Sequence, residues 1–143
     1  MAGFVLPLNQ VSFYPIGAKY ESYENVMNDV MNDSESISSI KAYIDSHYDS
    51  AITIGQLARL ACMSPGKLKY CFKAELGYTV YGYLTDVRMR CAEGLLANTD
   101  LGIAHIAERV GYKKPGAFAA AFRKRTGRLP KDVRKSRSVP SGK

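Results

Sequence analysis

The sequence predicts an all-α protein in which two helix-turn-helix units are joined by one long central helix. The first observation is a residue pattern that occurs twice, once on each side of residues 79–97. The second is that residues 79–97 carry apolar side chains at helical spacing. The third is that no segment after residue 24 alternates polar and apolar residues as a strand would. The predicted apolar face of the central helix consists of Val80, Leu84, Val87, Cys91 and Leu95.

The repeated pattern has two blocks. The pattern I-x-x-L-A-x-x-A of residues 54–61 returns as I-x-x-I-A-x-x-V in residues 103–110, at an offset of 49 residues. The pattern L-x-x-x-F-x-x-x-x-G of residues 68–77 returns as F-x-x-x-F-x-x-x-x-G in residues 118–127, at an offset of 50 residues. Two copies of a helix-turn-helix whose turns differ by one residue would produce this shift.

Residues 1–36 are predicted to form an acidic leader or linker. Prolines and a glycine in residues 1–24 favour a short strand or an irregular arm there, and residues 25–35 can form a short helix of their own. From Ser36 onward the spacing of apolar residues predicts a first helix that ends before Asp49. Its apolar face consists of Ile37, Ile40, Ile44 and Tyr48.

The first helix-turn-helix unit covers residues 37–78. Thr53 is expected to cap a second helix, which ends at the turn formed by residues 62–63. Ser64, as an N-cap followed by proline, predicts a third helix that stops at Gly77.

The linker helix covers residues 79–98 and the second unit covers residues 99–137. Thr79 is expected to cap the linker helix, and Asn98 to end it in a left-handed conformation. We expect residues 138–143 to be a flexible tail. The helices of the second unit are predicted to begin at Ile103, Pro115 and Pro130.

Charge is distributed unevenly along the chain. Residues 1–36 carry one lysine against five acidic residues, whereas residues 37–143 carry 19 lysines and arginines against 8 acidic residues, a net charge of +11. The basic part predicts a polyanionic partner, and ordinary solubilising charge is the alternative interpretation. No apolar run approaches the ~20 residues of a membrane helix, and no secretion signal is evident. We therefore expect a cytoplasmic protein that has no membrane partner.

No residue cluster points to catalysis or to a metal. Cys62, Cys71 and Cys91 form no C-x-x-C pair, and the chain has only two histidines, so we expect buried free thiols and no metal site. A nucleophile elbow, a phosphate loop and a recognisable carboxylate pair are also lacking. The sequence predicts no enzyme, no catalytic residue and no cofactor.

The third helix carries the residues best suited to contact DNA bases. The second helix of a helix-turn-helix enters the major groove, so its outward side chains meet the bases. With Leu68 and Phe72 turned inward, lysines that can donate to guanine or phosphate face outward, beside a tyrosine hydroxyl and ring. A solvated lysine face is the alternative. The predicted DNA-contacting residues of this unit are Ser64, Gly66, Lys67, Lys69, Tyr70 and Lys73.

The sixth helix offers weaker base contact. Its expected outward residues are glycine and alanines, among them Ala119, and these cannot hydrogen-bond a base through a side chain. Two lysines at its N-terminus oppose the helix dipole, and a bound phosphate would remove that conflict; exposure to water alone is the alternative. Arg125 extends the basic surface. The predicted DNA-contacting residues of this unit are Lys113, Lys114, Gly116, Ala117, Ala120, Arg123 and Lys124.

Residues 37–137 resemble the DNA-binding domain of the AraC/XylS family of bacterial transcription regulators. The resemblance rests on both repeated blocks and on residues between and after them, among them Tyr83-Leu84, Arg88, Leu95-Leu96 and Pro130. It implies seven helices, with two recognition helices in successive major grooves on one DNA face. It also implies base contacts from Gly66, Lys69 and Tyr70.

The chain departs from the family's pattern in three places. Cys62 stands where the family often has glycine, which predicts a strained turn. Ala120 stands where the family often has arginine, which predicts weaker base contact by the second unit. Residues 1–36 are shorter than the ligand-binding domain of many members, so no small-molecule effector is expected for this chain.

The predicted function is sequence-specific DNA binding that regulates transcription. The expected partners are double-stranded DNA and RNA polymerase, which the protein would recruit or block. The alternative is a non-enzymatic protein-interaction or DNA-adaptor module without its own sequence specificity.

Overall fold

The computed structural model describes the backbone of residues 23–138 and the side chains of residues 32–137. Over these residues the chain forms seven α-helices and no strand, which confirms the all-α prediction. The helices are α1 (Tyr23–His47), α2 (Ile54–Ala61), α3 (Pro65–Leu76), α4 (Val80–Asn98), α5 (Ile103–Arg109), α6 (Pro115–Thr126) and α7 (Pro130–Ser138). The arm predicted for residues 1–24 lies outside the described residues except for its last two, and the tail does so beyond residue 138.

Helix α1 is longer than the sequence predicted. The short helix expected for residues 25–35 is not separate, because α1 runs unbroken from Tyr23 to His47. The segment contains neither proline nor glycine, so nothing in it interrupts the backbone hydrogen bonds. Near its middle, α1 contacts α3, where Ser34 Oγ donates to Glu75 Oε2 at 2.8 Å. The boundary predicted at residue 36 therefore falls within a helix.

The predicted N-caps are confirmed. Thr53 Oγ1 accepts from the Gln56 amide at 3.1 Å, and the Gln56 side chain accepts from the Thr53 amide, which completes a capping box. Ser64 Oγ accepts from the Lys67 amide at 3.1 Å. Thr79 Oγ1 accepts from the Gly82 amide at 2.9 Å. Helices α2, α3 and α4 therefore begin where the local sequence directs.

The end of α4 differs from the prediction. Asn98 is the last helical residue, and the cap is Thr99 in an extended conformation with φ −134°. The Thr99 amide and the Thr99 hydroxyl both donate to the Leu95 carbonyl, at 3.1 and 2.7 Å. The left-handed ending predicted for Asn98 is wrong, because Asn98 stays helical and the Leu96 carbonyl at this end accepts from Arg134 and Arg137 of α7.

Helix α4 belongs to two cores. Its first half packs on α1 and α3, and its second half packs on α5, α6 and α7. The first half buries Val80, Tyr83, Leu84 and Val87, and the second half buries Met89, Ala92 and Leu96. The apolar face predicted through Cys91 and Leu95 is only partly buried in the second half, because the buried face turns there to meet the second unit. Both residues still pack against the second core.

The three cysteines are free, and the expectation that all are buried is also wrong. Cys62 is exposed, while Cys71 and Cys91 are half-buried. Burial raises the pKa of the Cys71 thiol. Within residues 23–138 no helix has the length and apolar character needed to cross a membrane. The described side chains include no group of three or more potential ligands placed to hold a metal ion.

Candidate nucleic-acid interface

The two units have the same turn geometry. The Met63 amide donates to the Ala58 carbonyl at 3.0 Å, and the Tyr112 amide donates to the Ala107 carbonyl at 2.9 Å, at an offset of 49 residues. The N-cap position of the next helix is occupied by Ser64 in one unit and by Lys114 in the other, at an offset of 50 residues. The additional residue of the second unit is therefore Lys113, which lies between the turn and α6.

Both recognition helices are anchored by the residues that the sequence predicted to point inward. Leu68 and Phe72 of α3 are fully buried, as are Phe118 and Phe122 of α6. Both helices also end at a glycine with φ +81°. Because equivalent positions anchor and end the two helices, equivalent faces of α3 and α6 are left exposed.

Most of the predicted α3 residues line one cleft. Gly66, Lys69, Tyr70 and Lys73 border a cleft of about 540 Å³ between α3 and the start of α4. The Tyr70 side chain is 74% exposed, so both its ring and its hydroxyl are accessible. The hydroxyl oxygen of Ser64 is engaged in capping α3 at the helix end. The cleft therefore offers two ammonium groups and a phenol beside an apolar wall.

Lys67 has a different environment from Lys69 and Tyr70. Its Nζ lies 3.2 Å from Asp33 Oδ1 of α1, and its side chain is 49% exposed. The ion pair draws this lysine toward the flank of α3 that faces α1. The structure therefore does not bring Lys67 into the cleft with the other predicted residues.

The exposed face of α6 is small and basic. Gly116, Ala117 and Ala120 are exposed as predicted, and Ala119, the counterpart of Lys69 in the repeat, is half-buried. Lys113, Lys114, Arg123 and Lys124 are all exposed. Lys114 makes no side-chain capping hydrogen bond, so no side chain shields the N-terminal amides of α6. Pro115 has no amide hydrogen, and the Ala117 and Phe118 amides donate to the Lys114 carbonyl, so the Gly116 amide is the donor that remains in this first turn. That amide lies beside two ammonium groups, an arrangement that suits an anion.

Tyr81 was not selected from the sequence, yet it joins the two units' surfaces. It lines the cleft beside α3 and also a groove that contains Lys124 of α6, and it is 52% exposed. Its counterpart at an offset of 50 residues is Lys131, an exposed residue at the start of α7. The Tyr83 amide donates to the Thr79 carbonyl at 2.9 Å, and at the same offset the Val133 amide donates to the Leu129 carbonyl at 3.1 Å. Both residues can be identified from the sequence when the two units are aligned at this offset beyond Gly77 and Gly127.

Similar sequences are regulators from bacteria. The arabinose operon regulatory protein of Escherichia coli strain K12 is 34% identical over 93 residues, which is 64% of this chain and 32% of that protein. The bifunctional transcriptional activator/DNA repair enzyme AdaA of Bacillus subtilis is 34% identical over 103 residues, 72% of this chain and 49% of AdaA. The chain therefore spans about a third to a half of the length of these relatives.

Similar solved structures share most of the helical architecture. The C-terminal domain of AraT, a response regulator from Geobacillus stearothermophilus, has a TM-score of 0.70 and 34% identity, covering 76% of this chain and 90% of that chain. The DNA-binding domain of AdpA, a global transcriptional factor solved with a target DNA, has a TM-score of 0.67 and 25% identity, covering 70% and 90%.

Residues 57–136, more than half of the chain, match a family described as a helix-turn-helix domain, and the chain belongs to that family. The resemblance to the AraC/XylS family is confirmed for this domain, since the chain carries a helix-turn-helix domain of the AraC type. The predicted fold of seven helices and two helix-turn-helix units is confirmed.

Proposed function

We propose that residues 37–137 bind DNA in a sequence-specific manner by placing α3 and α6 in successive major grooves on one DNA face. The observation that carries this proposal is the pair of equivalent recognition helices, each anchored by two fully buried side chains and connected by α4. The AdpA domain, of similar fold, was solved with its target DNA, which supports the same activity here. The protein would regulate transcription by recruiting or blocking RNA polymerase.

The first unit supplies most of the sequence specificity. Lys69 can donate to the guanine acceptors in the major groove, and Tyr70 can donate from its hydroxyl or stack its ring on a base edge. Gly66 has no side chain and its Cβ position is open, so the DNA backbone can approach α3 closely at this point. Lys73 extends the same exposed face toward the phosphates.

The second unit supplies mainly affinity. Gly116, Ala117 and Ala120 offer a base at most a methyl contact, so α6 discriminates weakly between sequences. The Gly116 amide at the start of α6, together with Lys113 and Lys114, is suited to a phosphate. Arg123 and Lys124 add two exposed cationic side chains along the same helix.

The proposal places the protein in the cytoplasm, where bacterial DNA is found, and assigns it no enzymatic activity. The alternative is a DNA adaptor without its own sequence specificity. Two observations favour that alternative: the small side chains on α6, and the relative AdaA, which is named as both an activator and a DNA repair enzyme. In that case both units would contact phosphates only.

A binding titration over a range of salt concentrations distinguishes a sequence-specific regulator from a DNA adaptor. Binding to a fluorescent duplex is measured against competing random duplex of the same length and charge. A sequence-specific regulator should prefer the duplex that it selects from a random DNA pool by roughly a thousandfold or more in affinity. An adaptor would bind both duplexes equally, with the same dependence on salt. Absence of binding to any duplex at low salt would contradict both hypotheses.

A further inference from the structure

A few polar side chains of α4 make contacts that link the two units. Arg88 lies near the middle of this helix and is half-buried. Its Nε donates to the Tyr48 carbonyl at 2.7 Å and its Nη2 donates to the Ser50 carbonyl at 2.9 Å. Both carbonyls belong to the segment between α1 and α2, so Arg88 is fixed to the first unit.

The same guanidinium also contacts the second unit. Its central carbon lies 5.3 Å from the centroid of the Tyr112 ring, within the range of a cation–π interaction. A Cβ added to Gly111 would lie 2.9 Å from three guanidinium atoms, so the group packs directly on the backbone of the turn before α6. Arg88 therefore bridges the two units at the N-terminal side of α6.

A second link reaches the other end of α6. Asp86, one turn before Arg90 on α4, accepts from Arg90 Nε at 2.9 Å and also accepts from Arg125 Nη1 of α6. Its side chain is only 14% exposed, so solvent weakens these charge-assisted bonds less than it would on an open surface. The hydrogen bond to Asp86 raises the pKa of Arg90. Asp86 thus ties the C-terminal part of α6 to the linker helix.

We propose that Arg88 and the Asp86–Arg125 pair are positioning residues that fix the distance and rotation between the two recognition helices. Because these side chains hold α6 at both of its ends, α3 and α6 can contact DNA at only one separation. The protein would then select the spacing of its two half-sites as well as their sequence. The predicted selection of half-site spacing rests on the proposed function. The fixed position of α6 relative to α3 is a property of the protein alone.

The DNA consequence is tested with the selected site and with versions in which one or two base pairs are inserted or removed between the half-sites. Each base pair moves the second half-site by about 3.4 Å and rotates it by about 34°. The wild-type protein should lose roughly tenfold or more in affinity on a one-base-pair shift, because one unit loses its contacts. Arg125→Gln and Arg88→Ala should reduce this loss to less than about threefold, as a loosened α6 can follow the displaced half-site.

Three matched variants separate positioning from other effects. Arg125→Lys keeps a cation that can reach Asp86, and it should retain the wild-type spacing preference. Arg90→Gln removes the pair within α4 but leaves Asp86 bound to Arg125, so it should also retain the preference. Lys124→Gln removes a neighbouring charge assigned to DNA, and it should weaken binding equally at every spacing.

A measurement without DNA tests the rigid placement independently. Amide residual dipolar couplings are recorded for the isotopically labelled full chain in a dilute aligning medium. In the wild type the couplings of both units should fit one alignment tensor. In Arg125→Gln and Arg88→Ala each unit should still fit well alone, but the two tensors should differ in magnitude. If Arg88→Ala does not fold, Arg125→Gln, which changes a partly exposed side chain, gives the result.

The outcomes distinguish the failure of each proposal. One shared tensor in Arg125→Gln, or a spacing preference as strong as that of the wild type, would overturn the positioning role. Two different tensors in the wild type would overturn it as well. If no DNA site can be selected but the tensors separate as expected, the proposed function fails and the positioning of the two helices stands.

Discussion

Cys62 and Gly111 occupy the same place in the two helix-turn-helix units, and both have a positive φ. Their φ angles are 56° and 103°, and Cys62 is the only non-glycine residue with positive φ between residues 23 and 138. Each amide also donates to the carbonyl three residues earlier, at 3.1 and 3.0 Å. The strained turn predicted from the cysteine is therefore present, since a side chain disfavours this conformation by about 1–2 kcal/mol per residue.

Cys62→Gly should leave the fold intact and raise the free energy of unfolding by up to about 1 kcal/mol. The glycine relieves the left-handed strain, and its greater freedom in the unfolded chain offsets part of the gain, about 0.4–1 kcal/mol. Cys62→Val should lower the free energy of unfolding by about 1–3 kcal/mol, because a β-branched residue tolerates positive φ poorly. Urea unfolding of both variants provides the measurement. A valine variant as stable as the glycine variant would show that this turn is not strained.

Phe72→Ala and Phe122→Ala should each lower the free energy of unfolding by about 3–5 kcal/mol. Both rings are fully buried and anchor a recognition helix to its core. The matched control is Tyr70→Ala, which truncates an exposed ring on the same helix as Phe72 and should change stability by less than about 0.5 kcal/mol. Thermal or urea unfolding gives all three values. Phenylalanine variants that melt at the wild-type temperature would mean that the helix faces are reversed.

Lys69→Ala and Tyr70→Ala should relax the preference for bases contacted by α3. Each side chain borders the cleft between α3 and α4, and a good base contact discriminates by about 1–3 kcal/mol. The measurement is the binding of each variant to the selected site and to its single-base changes. Lys41→Ala removes the same charge from α1 and should keep the wild-type preference. If both α3 variants discriminate between the selected site and its single-base changes as the wild type does, α3 does not contact the bases.

Neutralising Lys113 and Lys114 together should weaken binding almost equally on the selected site and on random DNA. Both side chains are exposed at the start of α6, where no side chain caps the helix. Loss of each phosphate contact should reduce the slope of log affinity against log salt by about 0.9. Titrations at several salt concentrations measure that slope. A slope equal to that of the wild type would place these lysines away from the phosphates.

The local features of the fold could be predicted because short-range chemistry determines them. Thr53, Ser64 and Thr79 are capping residues whose hydrogen bonds span only three positions, so the sequence alone locates three helix starts. The burial of Phe72 and Phe122 follows from helical spacing and from their equivalence in the repeat. Most of the exposed face of each recognition helix could be predicted for the same reason.

The features that were missed depend on contacts between distant residues. Arg125 and Asp86 are 39 positions apart, and the carbonyls bound by Arg88 are 38 and 40 positions away from it. Nothing in the neighbourhood of Arg88 marks it as a bridge rather than a solvated arginine. The change of buried face within α4 has the same origin, because it depends on where the second unit packs. A second apolar stripe, formed by Met89, Ala92 and Leu96, is nevertheless visible in the sequence.

Selection of bound sequences from a random DNA pool tests the central claim most directly. Lys69 and Tyr70 can contact base edges from α3, whereas the outward residues of α6 are glycine and alanines. The wild-type chain should therefore enrich one motif that is sharply defined in one half-site and diffuse in the other, about one helical turn away. Two equally sharp half-sites would contradict the division of roles between the units, and a pool without any enriched motif would contradict sequence-specific binding itself.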